Sequence, residues 1–307
     1  MGELTLNEVG HDMRGKTVLI TGTASGMGRI AARRLAELGA RLILVDFDVP
    51  NGESGRDEIV RETGNDAVEF IDCDVTNFDQ VRSMCEHVNA AYDRLDVLIN
   101  NAGITETVRR DSVHGYEMTM ATNCLGPFLI CELLKDKLKA SAPSRVINIC
   151  SDAHKMIKAL DFDDIDNRAG WQGVNHNKGF QAYARSKLSL AAVSFKLAAE
   201  LQGSGVTVYT VSPGYFIQTN IHRHMRGLWK LGVKLCWPFL QSAERATRTY
   251  VYLASEPAVA GDSGQYWEHM AHKEPSPASR DRAFQDRIWD YAAEATGTLP
   301  GAGAAAA

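Results

Sequence analysis

In the stretch AYARSKLSL (182–190), Tyr183 precedes Lys187 by four residues within apolar spacing that reads as a helix, which sets a phenol and an ammonium one turn apart. A free phenol with a pKa near ~10 is a poor base at neutral pH. An ammonium ~4 Å away contributes on the order of 4 kcal/mol in a surface-like dielectric, and a pyridinium adds to it. The pair therefore predicts a tyrosine of lowered pKa that can take the proton of a bound alcohol or return it in the reverse direction. The same spacing also describes an ordinary surface pair on a helix. What favours chemistry is Ser151, a hydroxyl at a strand end, together with a glycine loop far upstream.

That loop is TGTASGMG (21–28): Gly22, Gly26 and Gly28, with Thr23, Ser25 and Met27 among them, follow an apolar run and open the next helix. Glycine lets a backbone turn tightly and approach a pyrophosphate, which the helix N-terminus stabilises through free N–H groups and its dipole. Asp46 closes the second apolar run, close to the ~20-residue separation of a ribose-binding carboxylate. The alternative is a strand-ending Asp that only caps the next helix. A carboxylate there accepts the adenosine ribose hydroxyls and repels a 2′-phosphate, and Phe47 follows where a phosphate binder would want Arg, so NAD is expected over NADP. Asp74 and Val75 are expected to flank the adenine, and Asn101, Ala102 and Gly103 to form the floor beneath the cofactor.

These residues need a scaffold that brings strand ends together. Six apolar runs rich in Val and Ile (16–22, 40–46, 67–75, 95–103, 144–151 and 205–213) alternate with helical stretches such as MGRIAARRLAELG and VRSMCEHVNAAYD. Runs that are apolar throughout read as strands buried on both faces, as parallel strands under helices are. The alternation predicts an α/β fold: a single doubly wound (Rossmann) domain over residues 1–300, with a mostly seven-stranded parallel sheet and helices on both faces, then a low-complexity tail at 301–307. Two stretches break the rhythm, 152–180 and 215–240. Both follow strand C-termini, the edge where open α/β sheets bind ligands, so both are expected as substrate lids. Residues 215–240 carry Trp229, Trp237 and Phe239 beside Lys230 and Lys234, which also fits core packing or a membrane-surface contact.

TGTASGMG, NNAG (100–103), Asn123 in MATNCLGPF, Ser151 in INICSDAH, YARSK (183–187) and PG (213–214) occur in the order found in short-chain dehydrogenases/reductases, which this chain resembles from about residue 14 to 270. Within that family RVINICSDAH, GYEMTMATNCLGPFLICELL and the late KEPSPASRDRAFQDRIWDYAAEATG look like the retinol dehydrogenase branch. The resemblance implies oxidation or reduction of lipophilic alcohols and carbonyls by a catalytic set of Asn123, Ser151, Tyr183 and Lys187. In that set Ser151 donates a hydrogen bond to the substrate oxygen, Lys187 lowers the pKa of Tyr183 and binds the nicotinamide ribose, and Asn123 holds a water that links Lys187 to solvent. Pro213 and Gly214 belong to the cofactor site, and the hydroxyl expected five residues after Pro213 is replaced by Gln218, with Thr219 one later. An Arg that often follows the second strand in this branch and favours NADP is absent, since Asp46 and Phe47 stand there; oxidation is the expected direction. The alternative is a non-catalytic dinucleotide-binding regulatory or scaffold protein, which has no physical need for all four catalytic residues. The two long helical stretches leave pairing into a homodimer or homotetramer open.

Composition narrows the partners. The chain has 307 residues, 45% of them apolar, enough for a substantial core. A net charge of −5 has no basic excess to neutralise a phosphate backbone, so a small hydrophobic alcohol or ketone is expected rather than nucleic acid. Six cysteines without a CxxC pair fit neither a zinc site nor a disulfide framework. His222 and His224 lack a third ligand and read as surface residues, as does His154, so no metal is expected. The N-terminus has no secretory pattern, and no window approaches the ~18 apolar residues of a membrane span, which leaves the cytoplasm as the expected location without stable membrane insertion.

Overall fold

The Val- and Ile-rich runs become strands because residues apolar on both sides of a pleat are stable only between two layers of helices. The computed structural model describes residues 5–214, 217 and 241–299. Its strands are β1 (Thr17–Thr21), β2 (Arg41–Asp46), β3 (Val68–Asp72), β4 (Val97–Asn100), β5 (Ser144–Ile149), β6 (Val206–Ser212), β7 (Gln265–Glu268) and β8 (Ala271–His272). They form one sheet in the order β3-β2-β1-β4-β5-β6-β7-β8. Neighbours from β3 through β7 pair in parallel, and the two-residue β8 adds an antiparallel edge to the expected seven. The order reverses between β1 and β4, which opens a crevice at the strand C-termini. Strands β1, β4 and β6 are buried throughout, whereas β3 is an edge whose residues are half-buried or exposed. The expectation of two buried faces is corrected for β3.

The helices are α1 (Gly26–Glu37), α2 (Val49–Thr63), α3 (Phe78–Ala91), α4 (Gly126–Ala140), α5 (His176–Glu200), α6 (Ala243–Ser255) and α7 (Arg282–Thr296). One core layer packs Phe78, Val81, Phe128, Leu129 and Val193 against the sheet face that carries Leu19 and Ile43. The other packs Ala31, Leu35, Tyr250 and Val251 against Ile20 and Leu42. A helical turn at Met118–Met120 and a π-helical segment at Ala121–Leu125 lead into α4, so the long stretch around Asn123 is not one regular helix.

Helix α7 lies over α5 and the π segment, with Ile288 and Ala292 fully buried. Trp289 meets Phe128 edge to face at 4.9 Å, and Lys135 and Lys196 each stand 5.5 Å over its indole. The face of α4 and α5 that the sequence leaves open for a second copy is thus covered, in this part, by the chain's own C-terminal helix. Among the described residues no helix is long and apolar enough to cross a membrane, and no group of three or more His, Cys, Asp or Glu could hold a metal ion. The five described cysteines are free and buried.

Candidate active site

The glycine loop is stitched to the end of β4 by main chain. Gly22 has φ +75°, and a Cβ on Gly28 would fall 2.1 Å from the Gly22 carbonyl oxygen, so only hydrogen fits where the loop doubles back on the first turn of α1. Main-chain N–H groups of Asn101 and Ala102 both donate to Thr21 Oγ1, at 3.1 and 3.0 Å. The Asn101 amide donates to the carbonyls of Thr21 and Gly22 at 2.9 and 3.1 Å. Asp46 accepts from the N–H of Ala24 at 2.8 Å and from that of Asp48 at 3.1 Å, so its carboxylate fixes the loop against the end of β2. It is Asp48, not Asp46, that caps α2. Asp74 folds onto its own turn, accepting from Thr76 N–H and Oγ1.

A cavity of about 310 Å³ runs along this edge. Its wall includes Gly22, Ser25, Gly26, Met27, Asp46, Phe47, Asp74, Val75, Asn101, Ala102, Gly103, Tyr183, Lys187 and Pro213 from the sequence-derived set. Thr23, Gly28 and Gly214 stand behind it: Thr23 is buried, Gly28 makes the close approach just described, and Gly214 takes φ +100° with its N–H on Ser212 Oγ. Thr219, Gln218, His222, His224 and the lid expected at 215–240 lie outside the described residues, Ile217 apart. The wall also contains Ile104, Thr105, Glu106, Arg110, Met118 and Thr122. Sequence reasoning passed over these because the irregular stretch after NNAG has no periodic signal. A dinucleotide fits this cleft on two observations: the packing that admits only glycine at position 28, and a floor of main chain at Asn101–Gly103 with the open side of Gly26 above it.

At the other end the side chains do the work. Ser151 sits in extended backbone just past β5, and its Oγ accepts from the Ala153 N–H at 3.2 Å, which leaves its proton for another acceptor. Tyr183 and Lys187 project from α5. Lys187 is buried, donates to the Ile149 carbonyl at 2.8 Å, and stands 5.7 Å from the centroid of the Tyr183 ring. Burial pushes the Tyr183 phenol up to about 12, with a hydrogen bond to Ser151 pulling it back. Burial likewise pushes the Lys187 ammonium down to about 8. Desolvation, which opposes charge on both groups, sets the direction of both shifts.

Asn123 is fully buried in the π segment, a distortion often found at functional sites. Its carbonyl oxygen accepts from Ile104 N–H at 2.9 Å, and its amide nitrogen donates to the Ile104 carbonyl and to Ser186 Oγ, both at 3.0 Å. The side chain thus locks the stretch after NNAG onto α5, beside Lys187 and Gly103.

Two further expectations change. None of residues 152–180 lines the cavity. Leu160, Phe162 and Ile165 pack on the core, Phe162 meets Phe284 at 6.0 Å, Arg185 donates to the Asp161 carbonyl, and Tyr291 reaches Asp166 at 3.3 Å. Residues 160–166 of that segment are held down by α5 and α7, whereas Val174 and Phe180 stay exposed. His154, expected at the surface, has no exposure at all.

The comparisons with known proteins agree with this fold. A family model described as short chain dehydrogenase matches residues 16–160. The chain is 36% identical to retinol dehydrogenase 13 of Homo sapiens, over 92% of this chain and 85% of that protein. It is 35% identical to Homo sapiens retinol dehydrogenase 12, over 92% and 87%. Among solved structures, a Mycobacterium paratuberculosis protein superposes with a TM-score of 0.74 at 25% identity, covering 97% of this chain and 98% of that one. The Pseudomonas aeruginosa RhlG/NADP active-site complex superposes with a TM-score of 0.65 at 26% identity, covering 83% and 94%.

Proposed function

This chain belongs to the short-chain dehydrogenase family, and on that premise we propose that it is an NAD-dependent oxidoreductase interconverting a hydrophobic, retinoid-like alcohol and its carbonyl. The observation that carries the reading is that Tyr183 and Lys187 line the same cleft as the glycine loop, with Ser151 hydrogen-bonded to Tyr183. When bound, the nicotinamide takes the hydride of the alcohol carbon or supplies one to the carbonyl carbon. Tyr183, held protonated by burial, donates its O–H to the substrate oxygen in the reductive direction. Ser151 turns its hydroxyl proton to the same oxygen while its own oxygen stays on Ala153 N–H. In the oxidative direction the phenol gives up its proton against the burial that holds it, so that direction depends on positive charge at Lys187.

The NAD preference rests on the Asp46 carboxylate at the cavity wall beside Phe47, where a 2′-phosphate would meet a negative charge. A retinoid-like substrate is supported by the names of the relatives and by Phe180, an exposed ring 6.4 Å from that of Tyr183. The test is nicotinamide absorbance with all-trans-retinol, its aldehyde and a panel of apolar alcohols and ketones, each with NAD and NADP cofactors. We expect turnover with NAD favoured at least about tenfold in kcat/KM, a difference of ~1.4 kcal/mol. Faster turnover with NADP would overturn the cofactor assignment, and tight cofactor binding without turnover across the panel would favour a dinucleotide-binding regulator.

A further inference from the structure

His154 lies three residues past Ser151, buried, with a partner on each ring nitrogen. Nδ1 stands 2.7 Å from the Ser151 carbonyl oxygen, and Nε2 accepts the main-chain N–H of Ser276 at 2.9 Å. A carbonyl only accepts and an amide N–H only donates, so these partners select the neutral ring with its proton on Nδ1. The main-chain N–H of His154 also donates to the Ser151 carbonyl, at 3.1 Å, so one residue holds that oxygen twice. Next to it, Asp152 accepts from Tyr266 O–H at 2.7 Å and from Lys273 at 2.6 Å. Lys273 pairs in turn with Glu268, whose other oxygen accepts from Ser212 O–H at 3.1 Å, one residue before Pro213. The loop that presents Ser151 is therefore fastened from behind to residues 266–276, and the same stretch reaches the loop after β6.

We infer that His154 is a positioning residue for the reaction: its Nδ1–H tautomer fixes the Ser151 peptide so that the Ser151 hydroxyl faces Tyr183, with residues 266–276 as the plate against which the loop is set. The inference rests on the alcohol–carbonyl chemistry proposed above. A rotation of the 151–152 peptide would swing the hydroxyl off the substrate oxygen, and a displacement of ~1 Å at a reacting centre is worth about 100-fold in rate. The groups facing the ring are Asp152 and Lys155 from its own turn, Tyr266 of β7 with its ring 5.0 Å away, and Lys273 beyond β8. Burial depresses the ring's pKa, the contacts with Ser151 and Asp152 oppose that, and the two lysines reinforce it. The neutral ring thus contributes fully above its ordinary value near ~6.5, and the contribution is lost as pH falls through the lowered folded value. A second proton, on Nε2, would face the Ser276 N–H and break the clamp.

The experiment compares wild type with His154→Gln, which keeps a donor and an acceptor but does not titrate, and His154→Phe, which keeps a ring and loses both bonds. For each, kcat, the substrate KM, cofactor affinity, thermal midpoint and the kcat pH profile are measured. The expected result is a kcat about 10- to 100-fold lower for H154F with cofactor affinity within about twofold. H154Q is expected to keep most of its kcat and to lose the acid limb shown by wild type. Wild-type kcat in folded H154F, or an unchanged acid limb in H154Q, would overturn the inference. So would parallel losses of kcat, cofactor affinity and thermal midpoint in both variants, the signature of a merely structural role. If H154F does not fold, the H154Q profile decides alone. A wild type inactive on every alcohol and carbonyl tested would instead sink the underlying functional reading.

Discussion

Where the cleft meets the glycine loop, its form is set by contacts made to main-chain groups: Gly28 against the Gly22 carbonyl, the Asn101 and Ala102 amides on the Thr21 hydroxyl, and the Asp46 carboxylate on two amides. Where it meets Tyr183, its behaviour is set by side chains withdrawn from water, with a phenol driven up and an ammonium driven down by the same burial. The first end recognises a ligand by fitting it, with the Asp46 carboxylate as the charge that selects among dinucleotides. At the second, burial favours the neutral form of both groups. Damage to the first end should therefore appear in cofactor affinity, and damage to the second in kcat.

The sharpest division comes from Tyr183→Phe. Its kcat should fall by about 10²- to 10⁴-fold while cofactor affinity, read by nicotinamide fluorescence, stays within about twofold. Gly28→Ala should do the converse. Its Cβ would land 2.1 Å from the Gly22 carbonyl oxygen, an overpacking worth about 1–3 kcal/mol. Titration calorimetry should show cofactor affinity weakened about 10- to 100-fold, with kcat at saturating cofactor unchanged; a kcat loss as large as the affinity loss would erase the distinction. Asp46→Ala removes the acceptor for the Ala24 and Asp48 amides, and the NAD over NADP ratio in kcat/KM should drop about three- to tenfold. An unchanged ratio would mean that Asp46 only shapes the loop.

The smallest effect is in stability. Lys187 has a folded pKa of about 8 against an ordinary 10.5. Between those values the unfolded chain takes up a proton that the folded chain refuses, so stability is fully present above pH 10.5 and declines as pH falls toward 8. Lys187→Met lacks that term. Its thermal midpoint should gain on wild type by a few degrees as pH falls from 10 to 8, since 1 kcal/mol moves a domain of this size by ~1.5 °C. A constant difference across that window would show that Lys187 is charged in the folded state throughout.

What could be read in advance follows the same division. Glycine at 22, 26 and 28, the carboxylate at 46 and the Asn101–Gly103 floor are local requirements, visible because few residue types satisfy them. Six of the strands were visible as apolar runs, whereas the four residues of β7, Gln265–Glu268, are too few and too mixed to show a period. The residues of the chemical end were also visible, through spacing and resemblance. The direction of the Tyr183 shift was not, because spacing reports that an ammonium is near but not how far both groups are removed from water. His154 has no sequence signature of burial, since its partner at Ser276 is brought up only by the final fold. The packing of 160–166 was hidden for the same reason: its contacts with α5 and α7 form only in the final fold.

The account turns on whether burial or charge governs the phenol. Tyr183 ring-carbon chemical shifts in the cofactor-free protein, assigned by comparison with Tyr183→Phe and followed against pH, measure this directly. The account predicts a resonance that stays in the protonated position beyond the ordinary tyrosine midpoint near ~10, on the way to about 12. A midpoint below that ordinary value, with Lys187 fully charged, would contradict it.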